Sequence, residues 1–397
     1  MIKRDLEDSI IELAKVFPVI AILGPRQSGK TTLSKNIFNK HKYVSLEDFS
    51  NREEAEKDPK GFLKSLQNEH GIILDEFQHV PKLLSYIQLD VDENRQRYGY
   101  FILTGSQNFL MNKAIGQTLA GRVAITTLLP LSITELKQAD LLPETIEELV
   151  FKGGYPEFYV NANIRPVDWF TSYIKTYVER DVRDLKNIEN LSIFIKFMKL
   201  CAARIGQVTN ITSLANDAEI TLKTALSWLS ILEASYIIFF LQPYSSKFTR
   251  RLIKSPKLYF FDSGLACSLL GLDFLDNVKI SIYRGNLIEN LIISDILKIY
   301  TNANRPQHMY FLRDKIGHEV DCVIEKPNQI IPIEIKARMT TSMSLFSELN
   351  FWQNIAKEES INLANGFVIY SGTEIEKRSY GTFISWQNMD EVKKSIL

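Results

Sequence analysis

The junction at residues 17–32 constrains this chain more than any other stretch. Residues 17–24 are an apolar run closed by Gly24, the pattern of a buried parallel strand. Pro25, Arg26, Gln27, Ser28 and Gly29 follow, then Lys30 and Thr31, and Thr32 leads into a helical pattern. Glycines in such a loop let the backbone curl until successive N–H groups and the helix N-terminus point at one anion. The alternative is a glycine-rich turn that only closes a strand, and the strand before and helix after speak against it. In the phosphate reading the residues from Gly24 to Thr32 hold a nucleotide. Lys30 reaches its β and γ phosphates, and Thr31 offers a hydroxyl to magnesium.

A second short strand over 71–76 ends in Asp75 and Glu76. Downstream of a phosphate loop, Asp75 is expected to hold magnesium through water, and Glu76 to act as general base on an attacking water. An Asp-Glu pair that caps a helix is the other reading. A third strand over 100–104 runs into Gly105, Ser106, Gln107 and Asn108, which puts polar groups at the carboxyl end of a sheet, where ligands of open α/β folds bind. Thr104 or Ser106 is a candidate γ-phosphate sensor; a polar capping turn is the alternative. Arg122, before the strand-like stretch at 123–127, is a candidate to stabilise charge at a nucleotide in a neighbouring subunit. A solvated surface arginine is the plainer reading, and Arg95 and Arg97 are lesser candidates.

Together, the stretches 24–31, 74–78, 103–107, 119–122 and 129–132 resemble the AAA family of ATP-binding proteins of bacteria and archaea. The resemblance implies ATP and Mg2+ as ligands, a parallel P-loop α/β core over 1–135, and a helical lid over 136–190. The Gly-Gly-Tyr-Pro-Glu segment at 153–157 is similar to the one by which related ATPases set a proline, here Pro156, near the adenine; a turn between helices is the alternative. The aromatic stripe over 169–182 has helical spacing and reads as core.

Residues 191–280 read as a winged helix: two short helices over 208–233, with Thr212 and Thr221 as expected N-caps, then strands over 236–241 and 258–262. The second helix offers Lys223 as its only basic residue, which disfavours major-groove reading. The presumed wing gathers Lys247, Arg250, Arg251, Lys254 and Lys257 without an acid. Such a run can grip phosphates, which leaves DNA as a partner, or can be a solvated hairpin.

The last segment, 281–397, reads helix, three strands, helix, strand. Strand alternation places Glu334 and Lys336 on one face and Glu319 and Asp321 on one face of the preceding strand. Paired as a hairpin, the two strands gather Asp321, Glu334 and Lys336, with Glu289 approaching from the helix. Clustered carboxylates suit magnesium or manganese, and a lysine beside them can activate water. This αβββαβ order with Asp321 and a Glu-x-Lys at 334–336 resembles the restriction-endonuclease-like PD-(D/E)XK superfamily. The resemblance implies a second divalent metal on Asp321 and Glu334, water activation by Lys336, and an accessory role for Glu289. Val320 stands where the superfamily has proline.

Composition narrows the alternatives. With 397 residues, 45% hydrophobic and 24% charged, the chain is multidomain and globular. Lys plus Arg number 47, as do Asp plus Glu, so no global charge draws it to nucleic acid. Cys201, Cys267 and Cys322 are more than fifty residues apart, which suggests neither zinc site nor disulfide. No apolar run is long enough to cross a membrane, so a cytoplasmic protein is expected. An arginine acting between subunits implies a homo-oligomer. Two outputs of ATP hydrolysis stay open: DNA binding and cleavage, or an ATP-switched interaction scaffold with a silent nuclease-like domain.

Overall fold

The structure, a computed structural model, describes residues 2–106, 115–177, 190–244 and 252–397. By its internal contacts the chain forms two compact units. Unit one comprises Met1–Leu131, Ile231–Tyr236 and Thr301–Arg305; unit two comprises Ser132–Ser230, Ile237–Tyr300 and Pro306–Leu397.

Unit one is built on a parallel five-stranded sheet in the order β2-β3-β4-β1-β5. The strands are β1 (Val19–Gly24), β2 (Lys42–Ser45), β3 (Ile72–Asp75), β4 (Phe101–Ser106) and β5 (Val123–Thr127). Every residue of β1 is buried, because apolar layers cover both sheet faces. Val19, Ala21 and Leu23 join Leu74 and Leu103 in one core. Ile20 and Ile22 join Ile73, Ile102, Leu33, Leu6 and Ile10 in the other. That two-sided burial explains why the strand reads as a continuous apolar run rather than an alternating one. The parallel register aligns Gly24 with Ser106 and Asp75 with Thr104, so the carboxyl ends of β1, β3 and β4 open on one edge.

Unit two begins with Ser132, whose side chain and that of Glu135 form a reciprocal capping box on the helix Ile133–Gln138. Helices follow at Ile146–Lys152, Glu157–Val160, Pro166–Tyr177, Leu191–Ala202, Ile211–Asp217 and Leu222–Ala234. Residues 178–189 of the expected lid and Gln107 and Asn108 of the expected sensor loop lie outside the described residues. Thr221 caps its helix, donating position being Thr224 N at 3.1 Å. Thr212 does not: Asn210, in extended conformation, accepts from Ser213 N, and Thr212 falls within the first turn instead.

An antiparallel pair, β6 (Ile238–Leu241) and β7 (Lys257–Phe260), comes next. After the helix Arg284–Asn302, a six-stranded sheet runs in the order β12-β13-β11-β10-β9-β8. Its strands are β8 (Met309–Arg313), β9 (Glu319–Lys326), β10 (Gln329–Lys336), β11 (Gly366–Tyr370), β12 (Glu376–Arg378) and β13 (Gly381–Ser385). The helix Ser347–Glu358 separates β10 from β11, which pair in parallel, as a crossover helix allows. Trp352 and Leu349 from this helix pack with Val320, Val323, Ile330 and Val368 beneath the sheet. The sequence reading stops at the strand over 366–370; β12, β13 and the helix Met389–Ile396 extend it. Cys201, Cys267 and Cys322 are free and buried, and no described helix is long and apolar enough to cross a membrane.

Candidate active site

The edge of unit one carries the phosphate loop. Gly29, just before the helix Lys30–Ile37, has φ 96°, and Gly24 has φ 146° with the Leu128 carbonyl 2.2 Å from where a Cβ would stand. Both positions therefore require glycine. Lys30 is buried, and its Nζ donates to the Pro25 carbonyl at 2.7 Å and the Gly24 carbonyl at 3.1 Å. The ammonium thus sits inside the arch of the loop that the motif assigns to it. Pro25 and Ser28 are buried, Arg26 is half-buried, and Gln27 and Thr32 are exposed.

Arg4 anchors this loop from outside the motif. It is buried, and its guanidinium donates to the Ser28 carbonyl at 2.8 Å and the Leu129 carbonyl at 2.6 Å. One planar fork thus ties the loop to the segment after β5. Sequence reading missed it, since an arginine ahead of an amphipathic helix carries no signal of its own.

Asp75, at the end of β3, is also buried. It accepts from Thr31 Oγ1 at 3.0 and 3.1 Å, from Tyr43 Oη at 2.8 Å, and from Thr104 Oγ1. Burial, helped by the Asp75 bond and charge, pushes the Tyr43 hydroxyl up to about 12, so it stays a donor. Thr104 is wholly buried, and its proton is spent on Asp75. Its side chain holds the carboxylate, while Ser106, half-buried at the end of β4, is the residue of that strand end that opens outward.

Glu76 adopts left-handed backbone, φ 55° and ψ 42°, which turns the chain sharply after β3. Its carboxylate accepts from Gln78 Nε2, which also donates to Ser106 Oγ at 3.1 Å. Glu76, Gln78 and Ser106 form one polar chain, and Gln78 is a second residue the motif reading did not weigh. Asp75 and Glu76 are therefore not acting as helix caps; no side-chain cap bond forms at Glu76.

Arg122 is engaged within its own chain. Its Nε and Nη2 meet the two Asp92 carboxylate oxygens at 2.8 and 2.9 Å. Arg97 lies 4.0 Å from Asp90. Pro156 belongs to unit two and precedes the helix Glu157–Val160. The glycines before it are tied to buried Asp262, which accepts from Gly154 N at 2.7 Å and caps the helix Ser263–Leu269 through Leu265 N at 3.0 Å.

A second acidic cluster lies in unit two. The antiparallel register pairs Ile333 with Cys322, which sets Asp321 opposite Glu334. Asp321 Oδ2 accepts from Ile335 N at 2.8 Å. Glu334 is buried, one oxygen paired with Lys336 Nζ and Oε2 without a hydrogen-bond partner. Glu289 accepts from Tyr259 Oη at 2.6 Å and from Lys257 Nζ at 3.0 Å. Lys257 also pairs with Glu319, whose other oxygen meets Arg313 Nη1 at 2.9 Å.

Burial raises the carboxyls of Glu289 and Glu334 above their usual range, with the Asp321 charge adding to both, and burial raises Asp321 itself. Burial pulls Lys257 the other way, but the charges of Glu289, Asp321 and Glu319 outweigh it and hold the ammonium protonated. Among the described residues no three Asp, Glu, His or Cys side chains are grouped to hold an ion; Glu289 and Glu334 pair with Lys257 and Lys336, and Asp321 with the Ile335 amide. One expectation is corrected. Lys257 is not part of a solvated basic run, since only 2% of it is exposed. Lys254 is exposed, and Lys247, Arg250 and Arg251 lie outside the described residues.

Residues 16–137 match the family model described as an AAA domain, so unit one carries an AAA-type P-loop domain. Residues 143–276 and 284–389 match two domains of unknown function, DUF8612 and DUF4143. The uncharacterized protein Rv2008c of Mycobacterium tuberculosis is 27% identical over 331 residues, 82% of this chain and 72% of that protein. The uncharacterized protein MJ1544 of Methanocaldococcus jannaschii is 25% identical over 359 residues, 83% of this chain and 76% of that protein. Among solved structures, the Walker-type ATPase PABY2304 of Pyrococcus abyssi aligns with a TM-score of 0.45 at 15% identity, covering 68% of this chain and 96% of that one. The RuvB branch-migration motor of Thermotoga maritima aligns with a TM-score of 0.33 at 16% identity, covering 59% and 88%.

Proposed function

We propose that the chain is a magnesium-dependent ATPase of the AAA type that works as a homo-oligomer, with unit two as its partner-binding output. The observation that carries this reading is the convergence of Lys30, Thr31, Asp75 and Glu76 on one sheet edge. The residues suit magnesium: the partners of Asp75 are three neutral hydroxyls, from Thr31, Tyr43 and Thr104, and none of them is a cation that would compete for the place of the ion. Thr31 and Asp75 would hold the ion, which supplies charge neutralisation at the phosphates when bound.

The chain's own residues supply the rest of the mechanism. Gly24 to Thr32 cradle the phosphates through backbone N–H groups. Lys30 exchanges its bonds to the loop carbonyls for the β and γ oxygens. Glu76 orients the attacking water and takes its proton. Gln78 links that base to Ser106, the candidate γ-phosphate sensor, and Arg122 of a neighbouring subunit is the candidate to complete the site.

The lid is read over 136–190, the winged helix over 191–280, and the nuclease-like domain over 281–397. That domain is read as a scaffold that does not cut, because its carboxylates are bound to Lys257 and Lys336. DNA cleavage is the competing output, supported by the strand order around Asp321 and Glu334 alone. ATP turnover is measured in wild type, Lys30→Ala and Glu76→Gln; turnover that survives both substitutions removes the ATPase reading. Nicking of single- or double-stranded DNA with magnesium or manganese, lost in Asp321→Ala, replaces the scaffold with a nuclease.

A further inference from the structure

Lys257 is an unusual residue for its place. It opens a four-residue strand that is buried throughout, and it arrives from the β6–β7 pair rather than from the sheet that carries the acids. Its Nζ lies 3.0 Å from Glu289 Oε1 and in direct contact with Glu319 Oε1. The Phe311 ring stands 5.6 Å away as a further wall. Tyr259, two residues along and so on the same side of β7, donates to the same Glu289 oxygen at 2.6 Å. The strand therefore delivers one charged and one neutral donor to a carboxylate on the helix Arg284–Asn302.

The charges of the cluster explain what that delivery does. Four carboxylates, Glu289, Glu319, Asp321 and Glu334, meet three cations, Lys257, Lys336 and Arg313. With all four acids ionised, adding a divalent ion to this set would reverse its sign beside buried Lys257 and Glu334, where uncompensated charge is costly. Exchanging Lys257 for a divalent ion would instead balance it. Among the described residues, these acids are not grouped three together around a point that could hold an ion.

We infer that Lys257 is the resident cation of this cluster, occupying the place of a divalent metal and so making the nuclease-like domain metal-free. The inference rests on the reading of unit two as a scaffold that does not cut. It deepens that reading by naming the side chain responsible.

Manganese binding tests it directly, by the loss of the free-ion electron paramagnetic resonance signal on full-length protein without nucleotide. Wild type is expected to leave the signal unchanged. Lys257→Ser is expected to bind one equivalent, and Lys257→Ser with Asp321→Asn to lose it, which assigns the ion to this cluster rather than to Asp75. If Lys257→Ser does not fold, Lys257→Ser with Glu319→Gln removes a matched pair and keeps Glu289, Asp321 and Glu334. Manganese is then expected to bind this variant and raise its melting temperature.

A folded variant that binds no manganese overturns the inference while leaving the scaffold reading intact. Wild-type binding that Asp321→Asn abolishes also overturns it, since lysine and metal then coexist. The scaffold reading itself falls only if wild type also nicks DNA, a result that manganese binding alone does not produce.

Discussion

Both units of this protein gather acidic side chains into polar clusters, with Asp75 buried in one and Glu334 in the other, and they hold them in opposite ways. Asp75 in unit one is surrounded by hydroxyls from Thr31, Tyr43 and Thr104. Glu289, Glu319 and Glu334 in unit two are paired with ammonium groups from Lys257 and Lys336. A hydroxyl satisfies a lone pair without cancelling charge, as the proposed role of Asp75 at a cation requires. An ammonium both satisfies and cancels, so Lys257 and Lys336 neutralise charge in the second cluster as well as satisfying its oxygens, although Glu334 Oε2 keeps no hydrogen-bond partner. On the proposed reading, the type of donor, more than the count of acids, separates a site that takes a metal from one that does without.

Substitutions at the nucleotide edge should have the largest effect. Glu76→Gln is expected to lower turnover by roughly 10²–10⁴-fold, the usual worth of a positioned general base, while nucleotide still binds. Lys30→Ala should lose both. Phosphate release read beside binding of a fluorescent nucleotide separates the two, and normal turnover in Glu76→Gln would return Asp75 and Glu76 to a structural role.

The contrast between donors is measurable as stability. Lys257→Met removes the buried ammonium that half-buried Glu289 loses outright, whereas half-buried Glu319 keeps Arg313, and should cost about 3–5 kcal/mol, as one-sided removal of a buried pair does. Thr104→Val removes one neutral donor of several and should cost about 1 kcal/mol. Denaturant midpoints of the two variants compare them in one experiment. Equal losses would mean that Asp75 is held no differently from the second cluster.

Arg4 stands next in size. Arg4→Ala leaves the Ser28 and Leu129 carbonyls without a charged donor, a loss of about 1–3 kcal/mol. Because Arg4 touches the loop backbone and not the edge where Glu76 sits, KM for ATP should rise more than kcat falls. Arg4→Lys restores charge but not the fork and should recover only part of the affinity. A pure stability loss with unchanged KM would make Arg4 a core residue and nothing more.

What the sequence revealed and what it hid follow the same physical division. The phosphate loop was legible because its requirements are local: Gly24 and Gly29 are forced by backbone geometry, and strand and helix flank them directly. The facing of Glu334 and Lys336 was legible because strand alternation is local too. Arg4, Tyr43 and Lys257 were not, since their partners lie 24, 32 and 32 residues away or more. Lys257 was moreover masked by its neighbours, which made it look like the end of a basic run. The one clue was a lysine beginning the otherwise apolar Leu258, Tyr259 and Phe260. Asn210 displaced Thr212 as a cap for a smaller reason: two good capping residues stood two apart, and the helix began at the earlier one.

The smallest stability effect is expected where the geometry looks strongest on paper, at Arg122 and Asp92. Their two-pronged contact is short, yet both side chains are about one-third exposed, and water and salt weaken such pairs. Arg122→Ala and Asp92→Ala should therefore shift the denaturation midpoint little and equally. Turnover should separate them. If Arg122 serves a neighbouring subunit, its removal lowers ATP turnover, and Asp92→Ala, which frees the guanidinium, does not. The difference should shrink on dilution as subunits part, because an arginine acting in trans contributes only in the assembly. Equal turnover in the two variants at every protein concentration would assign the arginine to the surface of its own chain and leave the cross-subunit role to another residue.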